Sequence, residues 1–462
     1  MSITNMLNIG RHALGAYQAA MDVSSQNAAN AGVEGYSRRR GTLSSLGLGR
    51  DRRTSAGVMM SAPERVIDQY STASTRQAQA NASYQESRLS ALQQLESILA
   101  PQDGGLALRI EELLDSFSRL SSQPGGFAER ESVLYAAEGL ADDFQATRSQ
   151  LARLRDPISG LVSGQVDEIN DLTVDIAELN ALIRSAEAAQ GEASELRDER
   201  DELLDRLSEL TGAQMLEQDD GTVTASLPSG AVLVSSEMAS ELDTREINGQ
   251  IELVLYSSEG AERVLKPDSA GGELGGTLTS FNEDMGQAVD TLDQIAYGLA
   301  TTINDLHSQG FGLDGATGRG LFADLAGPEG AAALLAVSAD LVDNPDGVAA
   351  TRSAGQLPGG SDLALELSKL RDAPIASLDN RSAFGALTDL RTDTGRSLNR
   401  ASAETRIAEG QVEAFSNVRE SVRGVSLDEE LSDLLKHQRG YEAASRVVRA
   451  ADEMMQTILN LV

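Results

Sequence analysis

The residue types that could carry chemistry are sparse and scattered in this chain. Three histidines, His12, His307 and His437, are spread over 462 residues, and there is no cysteine, so thiolate metal sites and disulfides are excluded. With the histidines so far apart, neither a histidine-based metal site nor a Ser-His-Asp arrangement is expected. Gly271, Gly272, Gly275 and Gly276 suggest a phosphate loop, but no Gly-Lys-Ser/Thr follows and no strand-to-helix unit surrounds them. They read as a hinge. The acidic runs 195–205 and 428–430 offer carboxylates to a cation; Arg197, Arg200 and Arg206, at helical spacing, make the first run read instead as a solvated helix face laced with i to i+4 pairs. The sequence therefore predicts no catalytic residue, no cofactor, no metal and a non-enzymatic role.

What remains is a chain built to pack. Lys plus Arg number 38 against 71 for Asp plus Glu, a formal charge of -33. Phosphate backbones and anionic lipids would be repelled, so neither nucleic acid nor membrane is expected as main partner. The charge is uneven: residues 1–53 hold seven arginines against Asp22, Glu34 and Asp51, a balance of +4 (7 minus 3). Two readings stay open for Arg38, Arg39, Arg40, Arg50, Arg52 and Arg53, contact with acidic neighbouring subunits or a solvated basic loop. Residues 1–20 lack the apolar core of a cleaved signal peptide, and no apolar run is long enough to cross a bilayer.

The ten prolines fall between Pro63 and Pro374, which leaves both ends free to be helical. Leu7, Gly10, Leu14, Tyr17, Met21, Ser24 and Ala28 recur at spacings of three and four, and Tyr441, Ala444, Val448, Ala451, Met455, Ile458 and Val462 do the same at the other end. Two such seams invite each other. Helices are predicted over 64–100 and 106–156, broken at 101–105 and 124–126. A helical hairpin follows, with Val162, Val166, Ile169, Thr173, Ile176 and Ile183 facing Leu196, Leu203, Leu207 and Leu210. From 213 to 270 the period drops to two, and Asn248-Gly249 before Ile251, Leu253 and Leu255 signals a β-hairpin. Helix returns over 276–307, a mixed stretch spans 322–375, and long helix dominates from Asp379 to the end.

The run Asn27-Ala28-Ala29-Asn30-Ala31-Gly32-Val33-Glu34-Gly35-Tyr36-Ser37-Arg38 resembles the signature of the rod, hook and hook-associated proteins of bacterial flagella, with Glu34 in place of the usual threonine or proline. Gln438-Arg439-Gly440-Tyr441-Glu442-Ala443-Ala444-Ser445 is similar to its C-terminal counterpart. Three internal stretches are similar to the hook-associated FlgK family in particular: Ile176-Ala177-Glu178-Leu179-Asn180 with Leu196-Arg197-Asp198-Glu199-Arg200-Asp201-Glu202-Leu203, then Ile303-Asn304-Asp305-Leu306-His307-Ser308-Gln309-Gly310, and Gly424-Val425-Ser426-Leu427-Asp428-Glu429-Glu430.

The expectations are then these. The fold is mainly α, a helical-bundle and coiled-coil rod built from both terminal segments with a small inserted β-domain. A terminal assembly domain comprises 1–35 and 431–462, the rod 36–212 and 271–430, and the β-domain 213–270. Leu7, Leu14, Tyr17, Met21, Tyr441, Val448, Met455 and Ile458 form the assembly interface, while Asn27, Asn30, Gly35 and Tyr36 form a structural turn that sets the angle between terminal helix and rod. The resemblance implies an extracellular adaptor at the hook-filament junction, exported by the flagellar type III route without a cleaved signal peptide. The partners it implies are copies of itself in a ring or helical layer, the hook protein, a second junction protein, and an export chaperone on the C-terminal helix. The alternatives are another axial subunit, of rod or hook, or a cytoplasmic coiled-coil scaffold.

Overall fold

Asp68 accepts the amide hydrogens of Tyr70 and Ser71 (3.3 and 3.1 Å), and this cap starts the first helix of a bundle. The computed structural model describes residues 3–33, 35–48, 55–101, 104–190 and 192–460. Helix α1 (Ile3–Asn30) leads into short strands β1 (Arg39–Arg40), β2 (Leu43–Leu48), β3 (Ser55–Met60) and β4 (Glu64–Arg65). β2 and β3 pair as a hairpin, and β1 pairs with β4 at its root. Then come α2 (Gln69–Leu99), α3 (Gly105–Ser122), α4 (Phe127–Gln190) and α5 (Ser194–Thr211). After a β region the chain continues through α6 (Gly272–Thr279), a π-helical turn (Ser280–Met285), α7 (Gly286–His307), the short α8 (Ala331–Leu334) and α9 (Asp362–Leu367), and ends in α10 (Ala383–Arg423) and α11 (Leu427–Leu459).

Two hydrophobic cores sit along the rod. The first gathers Leu95 of α2, Ile110 and Phe117 of α3, Phe144 of α4, Ile295 of α7 and Leu387 of α10, all buried. The second sets Ile169 and Ile176 of α4, Leu207 of α5 and Leu278 of α6 against Leu233 and Leu253 from the strands. Helix α4 belongs to both. The sequence reading stops one helix at 156 and starts another near Val162, yet α4 runs through Pro157 without a break. Pro157 lies on the solvent face, where a missing helical hydrogen bond costs least.

The β region, expected over 213–270, spans seven strands. Four form an antiparallel meander, β5 (Gln214–Glu217), β6 (Val223–Ser226), β7 (Val232–Ser235) and β8 (Met238–Ala239); the others, β9 (Glu241–Ile247), β10 (Gln250–Tyr256) and β11 (Glu262–Leu265), form a second sheet with β10 in the middle. Asn248 and Gly249 both have positive φ, 52° and 73°, as the tight turn between β9 and β10 demands. The small strands at 39–65 are not foreseen in the sequence, because β1 and β4 have only two residues each and the apolar residues of β2 (Leu-Ser-Ser-Leu-Gly-Leu) and β3 (Ser-Ala-Gly-Val-Met-Met) do not alternate regularly with polar ones. The last helix is also divided where the sequence reads as continuous. Gly424 turns to extended backbone (ψ 151°), and Asp428, Glu429 and Glu430 in the first turn of α11 meet the positive end of the new helix dipole.

One device fastens the extended segments to the helices. A helix-borne asparagine accepts the N–H and donates to the C=O of a single residue, as another peptide unit would. Asn170 does this to Leu242 (2.8 and 2.8 Å), Asn180 to Val223 (3.0 and 2.9 Å), Asn282 of the π-helical turn to Ile251 (2.8 and 2.9 Å), and Asn304 to Phe322 (2.9 and 3.0 Å). Each satisfies a backbone pair that the strand ladders do not reach.

Candidate assembly site at the chain termini

The two terminal helices lie antiparallel and very close. At Gly440 an added Cβ would come within 2.5 Å of the Tyr17 ring, and at Gly10 within 2.5 Å of Val448 Cγ2. The Tyr17 and His437 rings stand 6.4 Å apart. Small residues make the approach possible: Gly10, Ala16, Ala20 and Ser24 of α1 are buried, as are Ala444 and Ala451 of α11. Of the residues expected at this interface, Leu7, Leu14, Tyr17, Met21, Tyr441, Val448 and Met455 are brought to its flanks, half-buried, while Ile458 is 49% exposed and Val462 lies outside the described residues. Val448 and Tyr17 thus fill the notches left by Gly10 and Gly440, while the other large apolar side chains border the seam. Leu427, Leu431 and Leu435, one helical turn apart on α11, are more than half exposed.

Asn27 ties this pair to the rest of the chain and is 1% exposed. Its Oδ1 accepts the Tyr36 hydroxyl (2.9 Å) and the Arg39 amide (3.0 Å); its Nδ2 donates to the Arg39 carbonyl (2.8 Å) and to Glu430 Oε2 (3.2 Å). The end of α1, the turn, β1 and the start of α11 thus meet on one carboxamide. Gly35 takes φ +82°, where a side chain would be strained. Burial pushes the Tyr36 hydroxyl above its ordinary pKa, and the Arg39 guanidinium lies 5.3 Å from the ring centre. Asn30 donates back to Gln26 O of its own helix (3.0 Å).

Around this knot runs a ladder of arginines and carboxylates between elements distant in sequence. Arg38 Nε donates to Glu430 Oε1 and its Nη1 to Glu429 Oε2, both at 2.8 Å, and its amide donates to Arg423 O (3.1 Å). Arg65, with a side chain only 3% exposed, reaches Glu192 (3.1 Å), Asp198 (3.0 Å) and Asp201 (2.7 Å). Arg76 pairs with Asp201 and Asp205, and Arg419 with Asp205 at 2.9 Å. Burial alone would raise the Asp201 carboxyl, but Arg76 and Arg65 outweigh it and hold it below the usual range.

This geometry corrects two expectations. The run 195–205 is solvated on one face only: Glu195, Glu199 and Glu202 are exposed, while Asp198, Asp201 and Asp205 bind arginines from β4, α2 and α10; Arg197 pairs with Glu187 and Glu217, Arg206 with Glu168 and Glu209, and Arg200 is 1% exposed. Arg38 and Arg39 are not a free basic loop either, because they meet Glu429, Glu430, Glu195 and Asp198 of their own chain. Arg40 is exposed, while Glu34, Arg50, Arg52 and Arg53 lie outside the described residues. No local spacing signals pairs nearly four hundred residues apart.

Elsewhere the reactive residue types are structural. His307 is 1% exposed; its Nδ1 donates to Arg319 O (2.7 Å), its Nε2 accepts the Ala349 amide (2.9 Å), and burial lowers its pKa to about 4. Gly272, Gly275 and Gly276 sit where an added Cβ would come within 2.4 Å of a backbone oxygen of Glu209, Ala270 or Tyr84, so they let α6 cross its neighbours. Among the described residues no group of three His, Asp or Glu could hold a metal ion, and no helix is long and apolar enough to cross a membrane.

Residues 92–322 match the family model of the flagellar hook-associated protein FlgK helical domain, and 421–461 match that of the flagellar basal body rod FlgEFG protein C-terminal region. The flagellar hook-associated protein 1 of Salmonella typhimurium is 28% identical over 328 residues, covering 69% of this chain and 59% of the relative. This chain thus spans about three fifths of that relative's length. The Bacillus subtilis protein of the same name is 25% identical over 501 residues, covering 98% of this chain and 97% of its own. The structure of the flagellar hook junction protein FlgK from Burkholderia pseudomallei superposes with a TM-score of 0.66 over 75% of this chain and 99% of that one, at 15% identity, a likeness of fold.

Proposed function

We propose, on the premise that the chain belongs to the family of the flagellar hook-associated protein FlgK, that it is a structural adaptor at the hook-filament junction on which the filament is assembled. The observation that carries this reading is the terminal pair. Its seam is closed by small residues with Tyr17 and Val448 seated on glycines, and Leu427, Leu431, Leu435 and Ile458 are left exposed for neighbours to cover. A two-helix unit of this kind gains little from its own seam and more from a third packing surface. Copies of the chain, the hook protein and a second junction protein supply that surface on the outside of the cell, and before export a chaperone covers the C-terminal helix. The knot at Asn27 and Glu430 fixes the angle at which the pair leaves the rod. The contacts are head-to-tail or lateral between unlike faces, as a ring or short helical layer requires.

A second reading, a rod or hook subunit, is favoured by the match of 421–461 to the rod-protein C-terminal model; the match of 92–322 to a helical domain of hook-associated proteins weighs against it. Electron microscopy of cells lacking the gene, with filament protein assayed in the medium, separates the readings. Completed hooks without filaments, and filament subunits lost to the medium, are expected. Missing hooks would move the protein inward to the rod or hook, and unchanged flagella would leave only the cytoplasmic scaffold.

A further inference from the structure

Next to the arginine ladder, a cleft of about 420 Å³ opens between helix α2 and the outer strand β5. Its floor is α5, where Arg200, Leu204 and Ser208 follow one another a turn apart and are all buried. One wall is the face of α2 that carries Gln69, Ala73 and Gln77; the other is Gln214–Glu217 of β5. The two walls match in length. Four strand residues extend about 13 Å and eight helical steps rise about 12 Å.

Three features of this cleft are unspent by the fold. β5 is the end strand of its sheet and pairs only with β6, so one row of its N–H and C=O groups faces no strand. That edge carries no lysine, proline or bulge, and Leu216 is 65% exposed on it; its shortness, Glu217 and the single Gln69–Glu217 bond to α2 (3.3 Å) are its only guards among the described residues. Finally, Arg200 brings a charge to the floor with no carboxylate within ion-pairing distance among the described residues. Its Nη1 donates to the neutral oxygens of Asn180 and Gly221 (2.8 and 2.7 Å), its Nε is buried without a partner, and burial pushes its pKa down to about 10. The other charged groups that line the cleft are taken: Arg65 and Arg76 by Asp201, and Glu217 by Arg197 and Gln69.

We propose that this cleft is a docking groove for an extended acidic peptide segment of a partner protein, which adds as a strand to β5, lays an apolar side chain on Leu204 and places a carboxylate near Arg200. Main-chain pairing supplies affinity, and alternate side chains supply selectivity. The acidic residue follows from the floor charge: Asp201 and Glu217 act on Arg200 only from a distance, so its buried guanidinium has no carboxylate in direct contact. About four residues fit. The groove is independent of the junction assignment, because it uses none of the terminal helices.

The test is a selection of displayed random heptapeptides on the full chain, with counter-selection on Ala73→Trp, which fills the groove from an exposed position on α2. Gln77→Trp, also exposed, serves as a second filling variant, and circular dichroism checks that both stay folded. Peptides that bind the wild-type chain and share alternating apolar positions with one Asp or Glu are expected. In fluorescence anisotropy, amidating that acid, or placing proline at the central position, should weaken binding at least tenfold. Enrichment of no wild-type-specific peptide, or of peptides indifferent to both changes, overturns the proposal. Self-association of the free chain that either tryptophan variant abolishes overturns the choice of partner in favour of a second copy.

Discussion

Changing Asn27 to aspartate keeps the size of the side chain and both accepted bonds, from the Tyr36 hydroxyl and the Arg39 amide, but removes both donated ones. The Arg39 carbonyl loses its 2.8 Å donor in a buried place, a loss of about 1–3 kcal/mol. The new carboxylate would also stand about 3.2 Å from Glu430 Oε2, where two like charges at an effective dielectric near 20 repel by roughly 5 kcal/mol before Arg38 relieves them. Together Asn27→Asp should loosen the knot by about 3–6 kcal/mol. Glu430→Gln alone should cost about 1–3 kcal/mol, because it weakens the Arg38 pair and turns an amide group toward the Asn27 amide. In the double variant the glutamine can donate to the aspartate, so the losses should fall short of additive by at least about 2 kcal/mol. Hydrogen exchange by mass spectrometry, on peptides covering 3–40 and 427–459, reads these energies locally, with peptides from the two rod cores as the internal control. Additive losses would refute the knot as the coupling between helix, turn and rod, as would exchange that quickens in the rod cores and not at the termini.

In dilute monomer, the amides of 3–30 should exchange faster than those of α4 and α7; equal protection would contradict assembly-coupled ordering of the terminal pair. Truncation before Leu434 should abolish incorporation into the flagellum while urea unfolding of the rod stays unchanged, and normal filaments from it would sink the terminal assignment. His307 gives an acid dependence of defined sign: the unfolded chain takes up a proton below pH 6.5 that the folded one refuses until about 4, so stability is complete above 6.5 and declines by roughly 3 kcal/mol on the way down to 4. His307→Gln should flatten urea midpoints between pH 7 and 5 relative to wild type, and parallel curves would show that the histidine does not titrate as placed. Arg65→Met should cost about 3–5 kcal/mol by leaving Asp198 and Asp201 short of a buried counter-charge. It should also move the acid loss to higher pH, since the Asp201 carboxyl, held low by its arginines, contributes stability that disappears as pH falls through its folded value; an unchanged acid limb would count against the ladder.

Periodicity carried much of the architecture. The α4 and α5 hairpin was legible because Val162, Ile169 and Ile176 repeat at helical spacing, and the β region because Asn248-Gly249 can only be a tight turn between alternating strands. Pro157 misled because a proline removes one hydrogen bond, and whether that ends a helix depends on which face it occupies, which sequence does not display. The terminal seam was legible as a repeat but not as a surface. Gly10 and Gly440 make room for the Val448 and Tyr17 side chains between the helices, while Leu14 is half-buried and Ile458 exposed. Asn27 was singled out with its turn, yet its four bonds depend on Glu430, a residue that no local pattern links to it. The arginine ladder was missed for the same reason: each charge looked paired along its own helix while its partner came from another element.

The continuity of α4 has a mechanical meaning. Its 64 residues extend about 96 Å as one hydrogen-bonded strut, and both cores are moulded onto it. A twisting force applied near one core cannot be absorbed by rotation of that core against the other, because the shared strut would have to shear or unwind first. Strain should collect instead where the strut lacks a backbone bond, at Pro157, and in the asparagine pairs that hold the sheets to its flank. An assembly built from such subunits would flex at the joints between them, while each subunit behaved as a torsionally stiff spacer.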